Sequence, residues 1–151
     1  MFVLLCGLPA SGKTTLATGL QRRLADAGYT FELLHSDDYR RRTYERMYER
    51  VAGSDADWIL DGTFHRREWR VRFQTLRNVY VVWVDAAVET CVARNRARDE
   101  PISERGVYAV DAAFEPPRAD LTLDTDELTV EAALDRLEAA AVDWLDAERG
   151  D

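Results

Sequence analysis

The sequence predicts a three-layer α/β domain, in which a five-stranded parallel sheet carries helices on both of its faces. Short apolar runs alternate with longer amphipathic stretches along the chain, and this order is typical of parallel strands joined by helices. The first run, FVLLC at residues 2–6, contains no polar side chain, as expected of a strand buried on both faces. The length of 151 residues suits one such unit, so we expect a single domain over residues 1–151.

The first half of the chain predicts three strands, each followed by a helix. Leu16, Leu20 and Leu24 are spaced four apart and form one apolar stripe on the first helix, which Gly28 ends. The second helix is highly charged and begins after the segment SDDYR at residues 36–40. The predicted strands lie at 2–6, 30–35 and 58–60, and the predicted helices at 14–27, up to about 51, and at 65–76.

The second half predicts two further strands and two clear helices. The run VYVVWV predicts a fourth strand at 79–84, followed by a helix at 86–97. A polar connection, ARDEPISERG, leads into a segment at 107–114, and we expect residues 94–114 to form a lid. LTL at 121–123 predicts the last strand. Thr129 is placed to cap the final helix, whose apolar stripe comprises Val130, Leu134, Leu137, Ala141, Trp144 and Leu145.

The composition is that of a folded domain without a membrane anchor. Hydrophobic residues make up 46% of the chain, which favours a packed core over disorder. No apolar run reaches the 18 residues that a membrane helix needs. Cys6 and Cys91 stand in apolar runs without CxxC spacing, so we expect buried free thiols in a reducing compartment. The two histidines argue against a histidine-based metal site, and we expect a cytoplasmic protein.

The charge is acidic overall and uneven along the chain. The net charge is −8, and Lys13 is the only lysine among 20 basic residues, a combination that resembles proteins of salt-loving organisms. Residues 40–105 nevertheless carry a local charge of +3, while residues 106–151 carry −10. The basic middle third has two interpretations, which the sequence leaves open: an anionic substrate, or ordinary Glu–Arg pairs on helix faces, as in RRRTYERMYER.

The segment GLPASGKT fits the phosphate-binding pattern GxxxxGK[ST] at every defined position. It follows an apolar strand and opens an amphipathic helix, which is the context that this chemistry requires. Glycines allow successive backbone N–H groups to turn towards phosphates, and the helix N-terminus adds partial positive charge. The alternative, a glycine-rich turn without a ligand, explains less of this context. The expected nucleotide contacts are Gly7, Pro9, Ala10, Ser11, Gly12, Lys13, Thr14 and Thr15.

Lys13 and Thr14 have separate expected roles in this loop. The Lys13 ammonium should reach the β- and γ-phosphates of ATP, and the Thr14 hydroxyl should coordinate Mg²⁺. Lysine offers a compact charge on a thin stem, whereas arginine offers a broad planar fork. This difference explains why a chain that uses arginine elsewhere keeps a lysine at this position. The sequence therefore predicts a nucleoside triphosphate site with ATP and Mg²⁺ as cofactors.

Two further acidic positions follow predicted strands. Asp37 and Asp38 come just after the second strand, whose carboxyl end faces the ligand crevice in a parallel sheet. In extended backbone their side chains would point opposite ways, so we expect one of them to act as general base or to hold Mg²⁺. The alternative is that the pair caps the charged helix. Asp61, at the end of the third strand, is a candidate metal ligand or simply a polar strand end.

Several segments resemble a group of small kinases with this phosphate loop. HSDDYR resembles the acceptor side of polynucleotide 5′-hydroxyl kinases, a group that includes kinases acting on seryl-tRNA. WILDGTFHRREWR resembles the third strand of the same group and the arginine-bearing helix after it. The resemblance implies Asp37 as general base, with Asp38, Arg40, Thr63 and Arg67 on the acceptor side. It also implies that Arg98 touches the transferring phosphate, with Arg94 as a second nucleotide contact.

The last third resembles a different branch of these kinases. AFEPPRADLTLDTDELTVEAALDRL is similar to the end of adenylyl-sulfate kinases, where a Pro-Pro segment lies near the adenine, which implies Pro117 as a nucleotide contact. That family has Asp-Gly-Asp-Asn where this chain has Ser36-Asp37-Asp38-Tyr39. The expected function is phosphoryl transfer from ATP to a small anionic hydroxyl compound, adenylyl sulfate first. An RNA 5′-hydroxyl or an aminoacyl-tRNA as acceptor, and a nucleotide switch without an acceptor, remain alternatives.

Overall fold

The computed structural model describes residues 1–150 and has the predicted α/β architecture. The strands are β1 (Phe2–Cys6), β2 (Phe31–His35), β3 (Asp57–Asp61), β4 (Val79–Asp85) and β5 (Leu121–Asp124). The helices are α1 (Lys13–Asp26), α2 (Thr43–Ala52), α3 (Arg67–Phe73), α4 (Val88–Arg96), α5 (Glu104–Ala113) and α6 (Val130–Arg149). A single 3-10 turn, Ser36–Asp38, follows β2.

All five strands are parallel and lie in the order β2-β3-β1-β4-β5. The chain leaves β1 towards one edge of the sheet and leaves β4 towards the other edge. A crevice forms where connections diverge in this way, at the carboxyl ends of the strands. The register pairs Leu5 of β1 with Asp61 of β3, so the last residue of β3 lies beside the segment that leaves β1.

The side chains of β1 alternate between the two faces of the sheet, and each set joins a separate core. Val3 and Leu5 pack with α1 and α6, while Phe2, Leu4 and Cys6 pack with α2 and α3. All five side chains are buried, which explains why the sequence of this strand is one continuous apolar run. Helices therefore cover both faces, as the sequence predicted.

A third, smaller core joins α4 and α5 to the segment after β1. It consists of Leu8, Ala86, Cys91, Val92 and Val107. Both cysteines are buried and free, as expected, and burial raises the pKa of the Cys6 thiol to about 12. This packing holds α4 and α5, and therefore both ends of the segment between them, at the same end of the sheet as the crevice.

Two local predictions were wrong about the segments that follow β2 and β3. Asp37 and Asp38 lie in a 3-10 turn rather than in extended backbone, so their side chains do not alternate across a strand. They also lie too far ahead of α2 to cap it, because α2 begins only at Thr43, after Arg42 in a left-handed conformation. The predicted helix at 65–76 is shorter at both ends: α3 runs from Arg67 to Phe73, after Phe64, which has a positive φ of 40°, and Arg66, which is extended.

Two helix starts follow the capping rules. Thr129 accepts a hydrogen bond from the Ala132 N–H at 3.1 Å and caps α6 as predicted. Ser103 caps α5 in the same way, through the Gly106 N–H, so the segment expected at 107–114 is a helix that begins at Glu104. Within residues 1–150, no helix combines the length and the apolar character needed to cross a membrane.

We predict that Leu5→Ala destabilises the protein by about 2–5 kcal/mol, because it empties a fully buried site at the centre of the sheet. Val71→Ala is the control, since Val71 is 46% exposed on α3 and its truncation should change stability by about 0.5 kcal/mol or less. Urea unfolding monitored by circular dichroism gives both values. Equal effects for the two variants would contradict the assignment of Leu5 to the core.

Candidate active site

The phosphate-binding segment connects β1 to α1, and two glycines in it are required by the geometry. A Cβ atom at Gly7 would lie 2.3 Å from the Val84 carbonyl oxygen and 2.9 Å from Ser11 Oγ, so no larger residue fits there. Gly12 has a φ of 108°, which favours glycine strongly. The loop therefore turns tightly against β4 and delivers its backbone to the N-terminus of α1.

Lys13 is the first residue of α1 and is only 8% exposed. Its Nζ donates a hydrogen bond to the Leu8 carbonyl oxygen at 2.7 Å, across the loop. Burial lowers the pKa of Lys13 from its ordinary value, and the Asp61 carboxylate is the main group that opposes this shift. The lysine thus lies in a narrow, mostly desolvated position, where a negative ligand would stabilise its charge.

A cavity of about 580 Å³ opens above this loop at the carboxyl ends of the strands. It brings together eleven of the residues that the sequence suggested, including Lys13, Thr14, Asp37, Asp61, Thr63, Arg94 and Arg98. Pro9, Ala10, Gly12 and Thr15 of the loop also line it. Gly7 and Ser11 are buried within the loop, and Ser11 lines the smaller cavity described below. Positive and negative side chains therefore face one another in one crevice.

Asp61 is buried at the end of β3 and forms a short hydrogen bond with His35 Nδ1, at the end of β2. Three side chains with oxygen donors, Thr14, Asp37 and Asp61, line the cavity and suit Mg²⁺, which prefers oxygen ligands. Within residues 1–150, no cluster of three His, Cys, Asp or Glu residues could enclose a metal ion alone. The donors therefore fit an ion that takes its other ligands from phosphate and water.

Arg94 lies between this cavity and a smaller one of about 230 Å³. Its guanidinium donates hydrogen bonds to the Ser11 carbonyl at 3.2 Å and to the Thr125 carbonyl at 2.8 Å. Thr125 Oγ1 also donates to the Ser11 carbonyl, at 2.9 Å. Arg94 therefore ties the loop after β5 to the phosphate loop. The smaller cavity has apolar walls formed by Leu16, Leu128, Val130 and Ala133.

The three arginines near the end of α4 have different surroundings. Arg94 and Arg98 line the large cavity, whereas Arg96 pairs with Glu104 on the outside. The Asn95 side chain is buried and binds both the Ile102 carbonyl, at 2.7 Å, and the Ile102 N–H, at 3.1 Å. Asn95 thereby ties the far end of the loop that carries Arg98 back to α4, while Arg98 itself stays exposed.

Five suggested contacts line neither of these two cavities: Gly7, Asp38, Arg40, Arg67 and Pro117. Asp38 and Arg40 are exposed in and after the 3-10 turn. Arg67 begins α3, and its N–H is bonded at 3.4 Å to Glu115 Oε1. The Glu115 N–H in turn donates to the His65 carbonyl, so the Pro-Pro segment follows the loop between β3 and α3 rather than the smaller cavity.

Several residues of the site were missed by the sequence reasoning. Ser36, Glu100 and Ile102 line the large cavity, and Thr125 lines the small one. Ser36 directly precedes the aspartate pair, and Thr125 directly follows the last strand, so position at a strand end was the available signal. Glu100 and Ile102 gave no such signal, because their place depends on how Asn95 holds the loop.

Comparisons with known proteins agree with this geometry. A family model described as an AAA domain matches residues 2–50. An adenylyl-sulfate kinase of Paraburkholderia xenovorans (strain LB400) is 31% identical to this chain, over 90% of the chain and 89% of the relative. The chain belongs to the adenylyl-sulfate kinase family. It is therefore a P-loop kinase, a nucleotide-binding transferase whose phosphoryl acceptor is a hydroxyl group.

Solved structures share the fold across nearly the whole chain. The Mycobacterium tuberculosis APS kinase in complex with AMPPNP and APS has a TM-score of 0.71 at 18% identity, with 96% of each chain covered. A gluconokinase from Sinorhizobium meliloti 1021 has a TM-score of 0.68 at 16% identity, with 93% of this chain and 94% of that chain covered. Because kinases of different acceptors are this similar in fold, the fold alone does not select an acceptor.

We predict that Lys13→Arg weakens ATP binding by about tenfold or more, because a planar guanidinium does not fit the narrow site that the ammonium occupies. Arg22→Lys is the matched control, since it makes the reverse exchange at an exposed position of the same helix. Calorimetric titration with ATP measures both. Wild-type affinity in Lys13→Arg would show that the loop needs only a positive charge at this position.

Proposed function

We propose that this kinase transfers the γ-phosphate of ATP to a hydroxyl of a small anionic acceptor, with adenylyl sulfate as the leading candidate. The proposal rests chiefly on one observation: Lys13 and Asp37 line the same crevice, on segments that leave different strands. The identity of 31% with a relative named adenylyl-sulfate kinase, spread over 90% of the chain, favours that acceptor.

In this proposal the bound nucleotide occupies both cavities. The triphosphate lies along the phosphate loop, where backbone N–H groups and the start of α1 attract negative charge. The adenine of ATP enters the smaller cavity, against the apolar walls formed by Leu128 and Val130. Arg94 lies at the junction of the two cavities and is already held by Ser11 and Thr125. Its position would therefore change little when the nucleotide binds.

The cationic side chains would balance the charge that spreads over the transferring group. Lys13 reaches the β- and γ-phosphates from below, and Arg98 approaches from the exposed loop after α4. Mg²⁺, when bound, would neutralise part of the phosphate charge. Thr14 and Asp61 would hold it, since both line the large cavity with oxygen atoms.

Asp37 would act on the acceptor hydroxyl. It lies after β2, which is separated from β1 by β3, so it stands about 10 Å across the sheet from the phosphate loop. That span leaves room for a phosphoryl group and an acceptor oxygen between them. An exposed carboxylate there can accept the hydroxyl proton while the oxygen attacks in line with the leaving ADP.

A polynucleotide or tRNA acceptor is the second candidate, and one surface feature favours it. Four arginines in α2, in α3 and directly before α3 lie over aromatic rings: Arg46 on Tyr39, Arg50 on Trp58, Arg66 on Trp69 and Arg72 on Tyr48. Alternating arginine and aromatic side chains are typical of surfaces that bind single-stranded nucleic acid. The net charge of −8 opposes this candidate, since phosphate contacts dominate such binding.

The decisive experiment offers ATP labelled in the γ-phosphate together with a panel of acceptors, at low and at molar KCl. The panel contains adenylyl sulfate, gluconate, shikimate and a short RNA with a 5′-hydroxyl. Label on adenylyl sulfate supports the proposal, and label on the RNA alone supports the second candidate. ATP binding with no transfer to any acceptor would contradict both and would favour a nucleotide switch.

We predict that Asp37→Asn lowers the rate of transfer by about 10²–10⁴-fold, because the amide cannot accept the hydroxyl proton. Affinity for ATP should change by less than about threefold, since Asp37 lies away from the phosphate loop. Asp38→Asn is the control, because this neighbour lies outside the cavity. Stopped assays of label transfer and calorimetry separate the two effects. Full activity in Asp37→Asn would remove the role assigned to Asp37.

A further inference from the structure

Tyr44 of α2 makes contacts that no role assigned above uses. Its hydroxyl lies 2.9 Å from Thr63 Oγ1 and accepts a hydrogen bond from the Phe64 N–H at 3.0 Å. Because the Phe64 N–H donates to the Tyr44 oxygen, the Tyr44 hydrogen is available for Thr63, whose hydroxyl lines the large cavity. One phenol thus holds both a side chain and the backbone of the loop after β3.

That loop is connected to the phosphate loop and has an unusual backbone. The Gly7 N–H donates to the Thr63 carbonyl at 3.3 Å. Phe64 has a φ of 40°, which is rare for a bulky residue, and such conformations persist only where the surroundings enforce them. Here the buried Arg70 binds the Phe64 carbonyl at 2.7 Å, while Tyr44 binds its N–H. Tyr44 is therefore one of two side chains that bind the Phe64 backbone directly.

The turn that carries Asp37 packs against the loop that Tyr44 holds. Gly62 packs closely against Ser36, and a Cβ atom at Gly62 would lie 3.0 Å from Ser36 Cβ. Burial raises the pKa of the Tyr44 phenol above its ordinary value, and its hydrogen bonds to Thr63, Phe64 and Ser36 act in the opposite direction. The hydroxyl therefore lies where the loops after β2 and β3 approach each other.

The ring of Tyr44 is held independently of its hydroxyl. It stacks on Trp69 with ring centroids 4.4 Å apart and lies 4.5 Å from Phe64. Replacing Tyr44 by phenylalanine therefore keeps the packed ring and removes only the hydrogen bonds. This separation makes it possible to tell a positioning role from a purely structural one.

We propose that Tyr44 is a positioning residue for the acceptor: its hydroxyl fixes the Thr63 hydroxyl and the loop after β3 relative to the phosphate loop, and the turn bearing Asp37 packs against that loop. The consequence for transfer rests on the proposed function. Without the hydroxyl, the loops after β2 and β3 lose their common anchor, and the acceptor is held less well in line with the γ-phosphate. Nucleotide binding changes little, because the proposed ATP contacts come from the loop after β1, from α1 and α4, and from the segment between β5 and α6.

The test compares Tyr44→Phe with Tyr48→Phe, a matched control one turn along the same helix. The Tyr48 hydroxyl reaches only the exposed Thr75, at 3.4 Å, and its ring packs on Phe73. We expect Tyr44→Phe to lower kcat/KM for the acceptor by about tenfold or more, with KM for ATP within about twofold of wild type. The control should match wild type in both. Equal kinetics for the two variants would overturn the proposal.

A double-mutant cycle tests whether Tyr44 acts through Thr63. Thr63→Val should lower kcat/KM for the acceptor, and adding Tyr44→Phe to it should cost little more. Thr63→Ser, which keeps the hydroxyl, should restore most of the activity. Independent losses that multiply in the double variant would overturn the coupling between the two residues.

Amide hydrogen exchange separates failure of this inference from failure of the proposed function, because it needs no acceptor. Tyr44→Phe should speed the exchange of the Phe64 amide by about tenfold or more and loosen the Ser36–Asp38 turn, while Tyr48→Phe should not. Unchanged exchange would overturn the anchoring role even if transfer is observed. Faster exchange in a protein that phosphorylates no acceptor would refute the proposed function alone.

Discussion

The positive charge of Lys13 is buried where the central strand of the sheet ends, and the surrounding site is arranged to tolerate it. A buried ammonium is costly unless it is paired and hydrogen-bonded. The Leu8 carbonyl supplies a hydrogen bond, and Asp61 supplies the main opposing charge. Both partners follow from the topology, since β3 runs beside β1 in a register that brings Asp61 next to Leu5. The triphosphate of a bound nucleotide would complete the same balance of charge.

The fixed position of this charge constrains the neighbouring loops. Gly7 must be glycine because the loop passes so close to β4, and its N–H reaches the Thr63 carbonyl. The loop after β3 is in turn held by Tyr44 and Arg70, and Asp61 is bonded to His35 at the end of β2. The loops that follow β1, β2 and β3 are thus joined by hydrogen bonds into one assembly at the carboxyl edge of the sheet.

The sequence predicted the sheet and the phosphate loop well, because those depend on local patterns. The apolar run of β1, the leucine stripe of α1 and the cap at Thr129 each have a short-range physical cause. The loops after β2 and β3 depend on contacts between distant segments, and their backbone conformation was predicted less well. The left-handed turn at Phe64 is held by residues of α2 and α3, and the neighbouring sequence does not predict this conformation. The Pro-Pro segment likewise follows the loop after β3, through Glu115 and His65, instead of the nucleotide side.

The division of the crevice into a nucleotide side and an acceptor side is the central claim about this kinase. A crystal structure with Mg²⁺, ADP and aluminium fluoride tests it most directly, because planar aluminium fluoride mimics the transferring phosphoryl group. We predict that the aluminium fluoride contacts Lys13 and that the adenine lies in the cavity beside Leu128. The Asp37 carboxylate should face the aluminium fluoride on the side away from ADP. A structure with Asp37 turned away from the aluminium fluoride, or with the adenine outside that cavity, would contradict this division of the crevice.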